Sequence, residues 1–386
     1  MIKLGVLCPY SSIYPNMHND FLNGMKMAIP KDYQDHYEIH EEFISSGLEN
    51  QVRTALEKLL FFKRVDIVTG FCNYKILDLM LDMMKNFNTV AFMADMGEII
   101  PKEDIISEKI FFNSLSLWQS EYALGAYAQG QYGANGKGLI VMSDYEAGYH
   151  FHSAFMKGVA SVEETEVELA IIPQHRASKE LMIEYFNEYV KLIKKQRPSY
   201  VYALFAGQEA IDFMDIYGNS SIAKDIPLLV SSHMASKEIL QNLNVPYLDI
   251  YSANVWDEAR QNKENELFVK LFFQQFGEMP NTFNLLGYEI GLAMRELDHV
   301  IRKKDWIKMN QLLKQAQLRT PRGEKLFGWS DSDQVKNISV EKILVGDKAL
   351  KRIEFDKQPV ISWNSSTIQS IITENVSGYL NPYLCI

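Results

Sequence analysis

Short apolar runs alternate with amphipathic segments of helical period over most of the first 250 residues. Residues 2–8 form a compact apolar run that predicts a strand, and a turn-rich stretch, 9–19, follows it. Phe21, Met25 and Ala28 then recur at helical spacing within 20–29. Val52, Ala55, Leu56, Leu59 and Leu60 predict a second helix leading into a strand at 66–70. Ile76, Leu79, Met80, Met83 and Phe87 predict a third helix before a strand at 89–94. Connections of this length between strands imply a parallel sheet with helices on both faces. The rhythm restarts after Phe112, with helices at 117–132, 149–162, 178–196, 209–217 and 236–243 and strands at 138–143, 166–173, 200–205 and 227–231. From Leu248 the pattern shifts. A strand at 248–255 leads into helices at 264–276, 282–302 and 306–317, with the charged run 302–304 as a solvated helix end. Two short β pieces, 325–329 and 338–345, follow Pro321. The final stretch, 358–386, is polar and aromatic without periodicity and is expected to be a surface tail.

Two α/β sets followed by a helical return point to an α/β protein of two doubly wound, Rossmann-like lobes. The length, 386 residues, supports this division, because single cores stop growing near ~250–300 residues. Apolar residues at 47% and charged residues at 23% suit a soluble globular chain. The net charge of -10 and the lack of a long basic run leave no footprint for nucleic acid. No apolar run approaches the ~20 residues of a membrane helix. No signal-peptide pattern precedes residues 2–7, which leaves two expectations: an exported chain given without its leader, or a cytosolic protein.

Candidate chemistry narrows the picture further. Cys8, Cys72 and Cys385 form neither a disulfide framework nor a zinc spacing. Cys8 and Cys72 follow strands that neighbour each other in the usual sheet order, so a bridge between them is open, with free thiols the expectation. Gly130, Gly133, Gly136 and Gly138 bracket Lys137 but miss the phosphate-loop spacing, so they mark a turn between helix and strand. His150 and His152 would point to different faces of a helix, which argues against a metal pair. No catalytic motif is present. The chain is expected to be a non-enzyme with no cofactor and no metal.

In open α/β sheets ligands sit beyond the carboxyl ends of the strands, so the residues there are the informative ones. In the first set these are Tyr10, Ser11, Ser12, Tyr14, Phe71, Cys72, Asn73, Ala94, Asp95 and Met96. In the second they are Tyr149, Phe205, Ala206 and His233, with Trp118 and Trp256 as further aromatic candidates. Blander roles are open to most of them. Ser11 and Ser12 can cap a turn, Cys72 can be a small buried hydrophobe, Asp95 can cap a helix, and the tryptophans can be packing. Taken together, aromatics and small polar groups recurring at these positions are what a small organic ligand requires.

The segments "IKLGVLCPYSSIYPNMHNDFLNGMKMAI", "VDIVTGFCN", "KGLIVMSDYEAGYHFHSAF", "YVYALFAGQEA", "NTFNLLGYEIGLAM" and "TPRGEKLFGWSDSDQVKN" resemble, in order and spacing, the type I periplasmic binding proteins of the branched-chain amino-acid (Leu/Ile/Val receptor) group. The resemblance spans residues 2–353. It implies two hinged lobes with a ligand cleft between them: 1–117 with 254–330, and 118–253 with 331–357, leaving 358–386 as a tail. In that family Ser/Thr hydroxyls and main-chain amides of the first lobe clamp a ligand carboxylate. The corresponding turns here are 71–73 and 94–96. An acidic residue of the second lobe meets the ligand's ammonium. This chain departs from the pattern with Asn73 in place of Ser, Met96 in place of Thr, and His233 in place of the acidic partner.

The resemblance implies the solute-binding component of an ABC-type uptake system, capturing a small amino-acid-like or aromatic, carboxylate-bearing ligand. It further implies a monomer that works with a membrane permease, in the periplasm or otherwise exported. The alternative is a ligand-sensing receptor domain of a signalling or regulatory system.

Overall fold

In the computed structural model, described for residues 1–11, 14–72, 76–100, 108–145, 149–172, 178–315, 318–325, 338–346, 349–354 and 365–374, the chain divides into two compact units. One takes its described residues mainly from Met1–Leu115 and Trp256–Asp333, the other mainly from Ser116–Val255 and Gln334–Leu380.

The chain opens with β1 (Ile2–Pro9), α1 (Met17–Ala28), the single turn α2 (Lys31–Gln34) and β2 (Tyr37–Ser45). Helix α3 (Glu49–Glu57) continues into a wide helical turn, Lys58–Lys63, that stops at Arg64 in the left-handed region, φ 53. Then come β3 (Ile67–Phe71), α4 (Leu77–Met84), β4 (Val90–Asp95) and β5 (Ile110–Ser114). The second unit runs through α5 (Leu117–Tyr132), β6 (Gly138–Ser143), α6 (Phe151–Val162), β7 (Glu168–Ile172), α7 (Lys179–Gln196), β8 (Tyr200–Leu204), α8 (Gly207–Gly218), β9 (Leu228–Val230), α9 (Lys237–Leu240) and β10 (Tyr247–Asn254). The return to the first unit supplies α10 (Lys263–Phe276), α11 (Thr282–Ile301), α12 (Trp306–Gln315) and the hairpin β11 (Leu318–Thr320) and β12 (Gly323–Lys325). Finally β13 (Ser339–Gly346), β14 (Ala349–Glu354) and α13 (Ser365–Glu374) belong to the second unit.

The sheet of the first unit is wholly parallel, in the order β2-β1-β3-β4-β5. That of the second unit contains the same arrangement, β7-β6-β8-β9-β10, also parallel, and extends it with β13 and β14 as antiparallel neighbours. In both, the chain leaves the first strand in one direction and returns on its other side. The reversal, between β1 and β3 and between β6 and β8, leaves a crevice at the strands' carboxyl ends. The central strands β3, β4, β6 and β8 are buried along their whole length, as expected when helices cover both faces.

Each unit also holds one close helix pair made possible by glycine. In the first, α1 packs on α11, and a Cβ at Gly24 would lie 1.9 Å from the Asn284 carbonyl while one at Gly287 would lie 1.9 Å from that of Phe21. In the second, α5 packs on α6, with Gly125 facing the Phe155 carbonyl at 2.1 Å and Gly158 facing that of Tyr122 at 2.0 Å. The geometry is reciprocal in both cases.

Several elements differ from the expectation. β2, β5 and β14 were not predicted, and within the tail read as aperiodic Ser365–Glu374 forms a helix that buries Ile371. β2 is an edge strand with only Ile44 fully buried, so it lacks the apolar run that marks the interior strands. Of the expected strand at 325–329 only Lys325 is described, as the last residue of β12 in the hairpin β11–β12, and 326–329 lie outside the described residues. The glycine cluster does form a turn between α5 and β6, with Gly136 at φ 136.

Candidate functional site

The carboxyl ends of the strands in the first unit carry the first group of candidates. Tyr10 is 64% exposed, its N–H bonded to the Ser45 carbonyl at 2.8 Å. Ser11 is buried, and its hydroxyl accepts the Tyr14 N–H at 2.9 Å. The Tyr14 ring meets Phe283 edge-on at 5.1 Å, and Phe71 meets Phe21 and Phe283 at 5.2 and 5.5 Å. These two rings therefore pack β1 and β3 against α1 and α11. Ser12 and Asn73 lie outside the described residues.

Cys72, Ala94, Asp95 and Met96 are all buried at the ends of β3 and β4. The Cys72 thiol points at the Met80 sulfur, 3.6 Å away. Burial holds its pKa well above the ordinary thiol value, and the nearby Asp95 and Glu98 carboxylates push it further. Burial, with Glu41, likewise raises the Cys8 thiol to about 12. Both cysteines are free and, held as thiols, are poor nucleophiles. The pair Asp95 and Glu98 thus concentrates acidic side chains at this end of the first sheet.

In the second unit a carboxylate stands at the carboxyl ends of β6 and β8. Glu209, in the first turn of α8, accepts the Ser143 hydroxyl at 2.7 Å and the Tyr145 hydroxyl at 3.1 Å, and the Tyr145 oxygen accepts the Ala206 N–H at 2.8 Å. Burial raises the Glu209 pKa, with those two hydrogen bonds opposing it. The Phe205 ring lies in the core between Phe186 and Phe213, so its main chain rather than its side chain reaches the strand end. Tyr149 is buried with its ring 6.0 Å from Phe151. Trp118 is buried in the first turn of α5. Trp256 donates its indole N–H to Asn265 at 2.8 Å and packs near Phe268 at 6.2 Å, at the head of α10 in the first unit.

Residues 231–234 carry the remaining candidate. His233 is 5% exposed; its Nε2 lies 2.8 Å from the Phe205 carbonyl and 3.3 Å from the Ser231 hydroxyl. Beside it, Glu121 of α5 accepts the Ser232 N–H at 3.0 Å and the Tyr202 hydroxyl at 2.7 Å. Glu121 is fully buried, and desolvation raises its pKa to about 7, against the hydrogen bonds that lower it. Folding therefore favours its protonated form. The stability this contributes is complete below the ordinary value of 4.5 and is lost as pH rises through about 7. Glu121→Gln, whose amide can donate to Tyr202, is expected to leave stability nearly unchanged at pH 5 and to raise it by up to about 3 kcal/mol at pH 8. Urea denaturation at the two pH values checks this; an equal effect at both would contradict it.

Glu121 and Glu209 were not among the sequence candidates. Glu121 had a visible signal, since it is the sole charged residue in α5, whereas Glu209 resembles any acidic residue in a first helical turn. Among the described residues, no group of three or more His, Cys, Asp or Glu could hold a metal ion, and no helix is long and apolar enough to cross a membrane.

No protein-family model matches the chain, and no curated protein sequence is detectably similar to it. Solved structures match nearly end to end. An ABC transporter substrate-binding protein from Sphaerobacter thermophilus superposes with a TM-score of 0.76 at 19% identity, covering 93% of this chain and 98% of that one. The solute binding protein of an ABC transporter from Rhodopseudomonas palustris BisB5, in complex with 3,4-dihydroxybenzoic acid, gives 0.70 at 17%, with coverages of 93% and 98%. The leucine binding protein LivK from Thermotoga maritima gives 0.62 at 10%, with coverages of 92% and 98%. The fold is thus the type I periplasmic-binding-protein fold.

Proposed function

We propose that this protein is the solute-capturing component of an ABC-type uptake system, taking a small carboxylate-bearing ligand, aromatic or amino-acid-like, and handing it to a membrane permease. The observation that carries this reading is the similarity to ABC substrate-binding proteins over 93% of the chain. The twin crevices at the strand ends support it, being where sheets of this order take ligands. The aromatic acid held by one structural neighbour and the leucine named for another bracket the ligand class. In this reading the protein is a monomeric binder without catalysis or nucleic-acid partners, located in the periplasm or otherwise exported. The lobes in this reading are 1–117 with 254–330 and 118–253 with 331–357.

A thermal-shift screen with benzoate, hydroxybenzoates and the aliphatic and aromatic amino acids tests it. A true ligand at a hundred times its Kd stabilises the folded state by about 2.7 kcal/mol and raises Tm accordingly. A panel of small carboxylates that leaves Tm unmoved throughout would overturn the reading.

A further inference from the structure

His233 is buried yet incompletely bonded. Its Nε2 faces the Phe205 carbonyl at 2.8 Å. A carbonyl only accepts, so this nitrogen carries the hydrogen and the neutral ring is the Nε2–H tautomer. Nδ1 is then a bare lone pair, and among the described residues nothing donates to it. Protonation cannot satisfy it at neutral pH, because burial pushes the imidazole pKa down to about 4, only partly offset by the Phe205 carbonyl. The ring is held in place by Phe151, stacked at 5.8 Å and 27°.

The nearby acidic side chains are engaged elsewhere and leave that neutrality in place. On α5, Glu121 is taken up by Ser232 and Tyr202. On α8, Glu209 is taken up by Ser143 and Tyr145. Neither carboxylate is bonded to the imidazole. A desolvated acceptor without a donor is costly, and it is tolerated where a partner supplies the hydrogen. His233 stands just past β9 and against the end of β8, within the strand-end region where such sheets receive ligands. An ammonium brought there would meet a neutral ring and lose its hydration without gaining a counter-charge. A hydroxyl offers the needed hydrogen without a charge.

We propose that His233 is the specificity-determining residue of the solute site, accepting at Nδ1 a hydrogen bond from a neutral hydroxyl of the ligand and so selecting hydroxylated acids over α-ammonium ones. This inference rests on the solute-capture reading above.

Calorimetric titration of wild type, His233→Phe and His233→Asn with benzoate, 3- and 4-hydroxybenzoate and L-leucine tests it. The better hydroxybenzoate is expected to bind wild type about tenfold or more tighter than benzoate, with leucine weakest. His233→Phe should bring hydroxybenzoate and benzoate within about threefold of each other. His233→Asn, which keeps an acceptor oxygen near the place of Nδ1, should retain most of the preference.

Benzoate binding wild type as tightly as either hydroxybenzoate, leucine binding tightest, or a preference that survives in His233→Phe would overturn the inference while leaving solute capture standing. So would a different solute, found in the wider panel, that binds without a hydroxyl. If no small solute binds at all, solute capture falls and this inference falls with it. A measurement on the wild-type protein needs no ligand: ¹⁵N spectra of His233 at pH 6 should show Nε2 protonated and Nδ1 bare. A proton on Nδ1 would overturn the proposal.

Discussion

Gly287→Val is expected to destabilise the first unit by more than about 3 kcal/mol, and Gly158→Val to do the same to the second. At both positions a Cβ would sit about 2 Å from a backbone carbonyl of the facing helix, Phe21 for Gly287 and Tyr122 for Gly158. No rotamer relieves such a clash, because the obstacle is main chain. The helices must separate, which opens the packed interface along α1 and α11 or along α5 and α6. Even alanine meets the clash in full. Gly130, in α5, is the control: a Cβ there meets nothing within 4 Å, so Gly130→Ala should stabilise by about 0.5–1 kcal/mol through helix propensity. Urea denaturation reads all three. A Gly287→Ala variant within about 0.5 kcal/mol of wild type would show that the helices do not approach as closely as described.

Glu289→Ala is expected to cost about 3–5 kcal/mol, because it strands a buried cation. Glu289 on α11 is fully buried, and the Arg322 side chain, in the turn between β11 and β12, is 9% exposed. The guanidinium grips the carboxylate with two bonds, Nε to Oε1 at 3.0 Å and Nη2 to Oε2 at 2.6 Å. It also donates to the Ser114 carbonyl at 3.0 Å and the Asn113 amide oxygen at 2.9 Å, and Asn113 in turn donates to the Leu286 carbonyl. The network joins the end of β5, helix α11 and the hairpin. Replacing both partners, as in Glu289→Leu with Arg322→Met, should cost less than Glu289→Ala alone, since no charge is left unpaired. Denaturation of the single and double variants measures the difference. A single variant losing less than about 1 kcal/mol would mean that water reaches the guanidinium.

Much of the fold was legible because of how parallel sheets are buried. β3, β4, β6 and β8 are covered on both faces, so each appears in the chain as a short unbroken apolar run between helices of 3.6-residue period. The strand ends follow directly, and with them most of the candidate site, including Cys72, Asp95 and His233. Edge strands escape this logic. β2, "YEIHEEFIS", exposes Glu41 and Phe43 and fully buries only Ile44, and β14, "ALKRIE", is paired on one side only. Local pattern is too weak there to distinguish a strand from a polar loop.

The site divides along the same line. Residue type and position along the chain sufficed to place His233 after a strand and to note that it is not an acid. They could not show that its Nε2 is committed to the Phe205 carbonyl, which leaves Nδ1 as an acceptor. Nor could they separate Phe71 and Phe205, whose rings are core, from the polar groups beside them. The acid Glu121, brought to Ser232 from a helix begun more than a hundred residues earlier, and the glycine pairs Gly24–Gly287 and Gly125–Gly158 belong to the folded molecule alone. Burial of a run depends on neighbours a few residues away and is written into local pattern. Which lone pair is satisfied, which carboxyl is dry and which glycine touches a facing carbonyl depend on groups that meet only when distant segments pack.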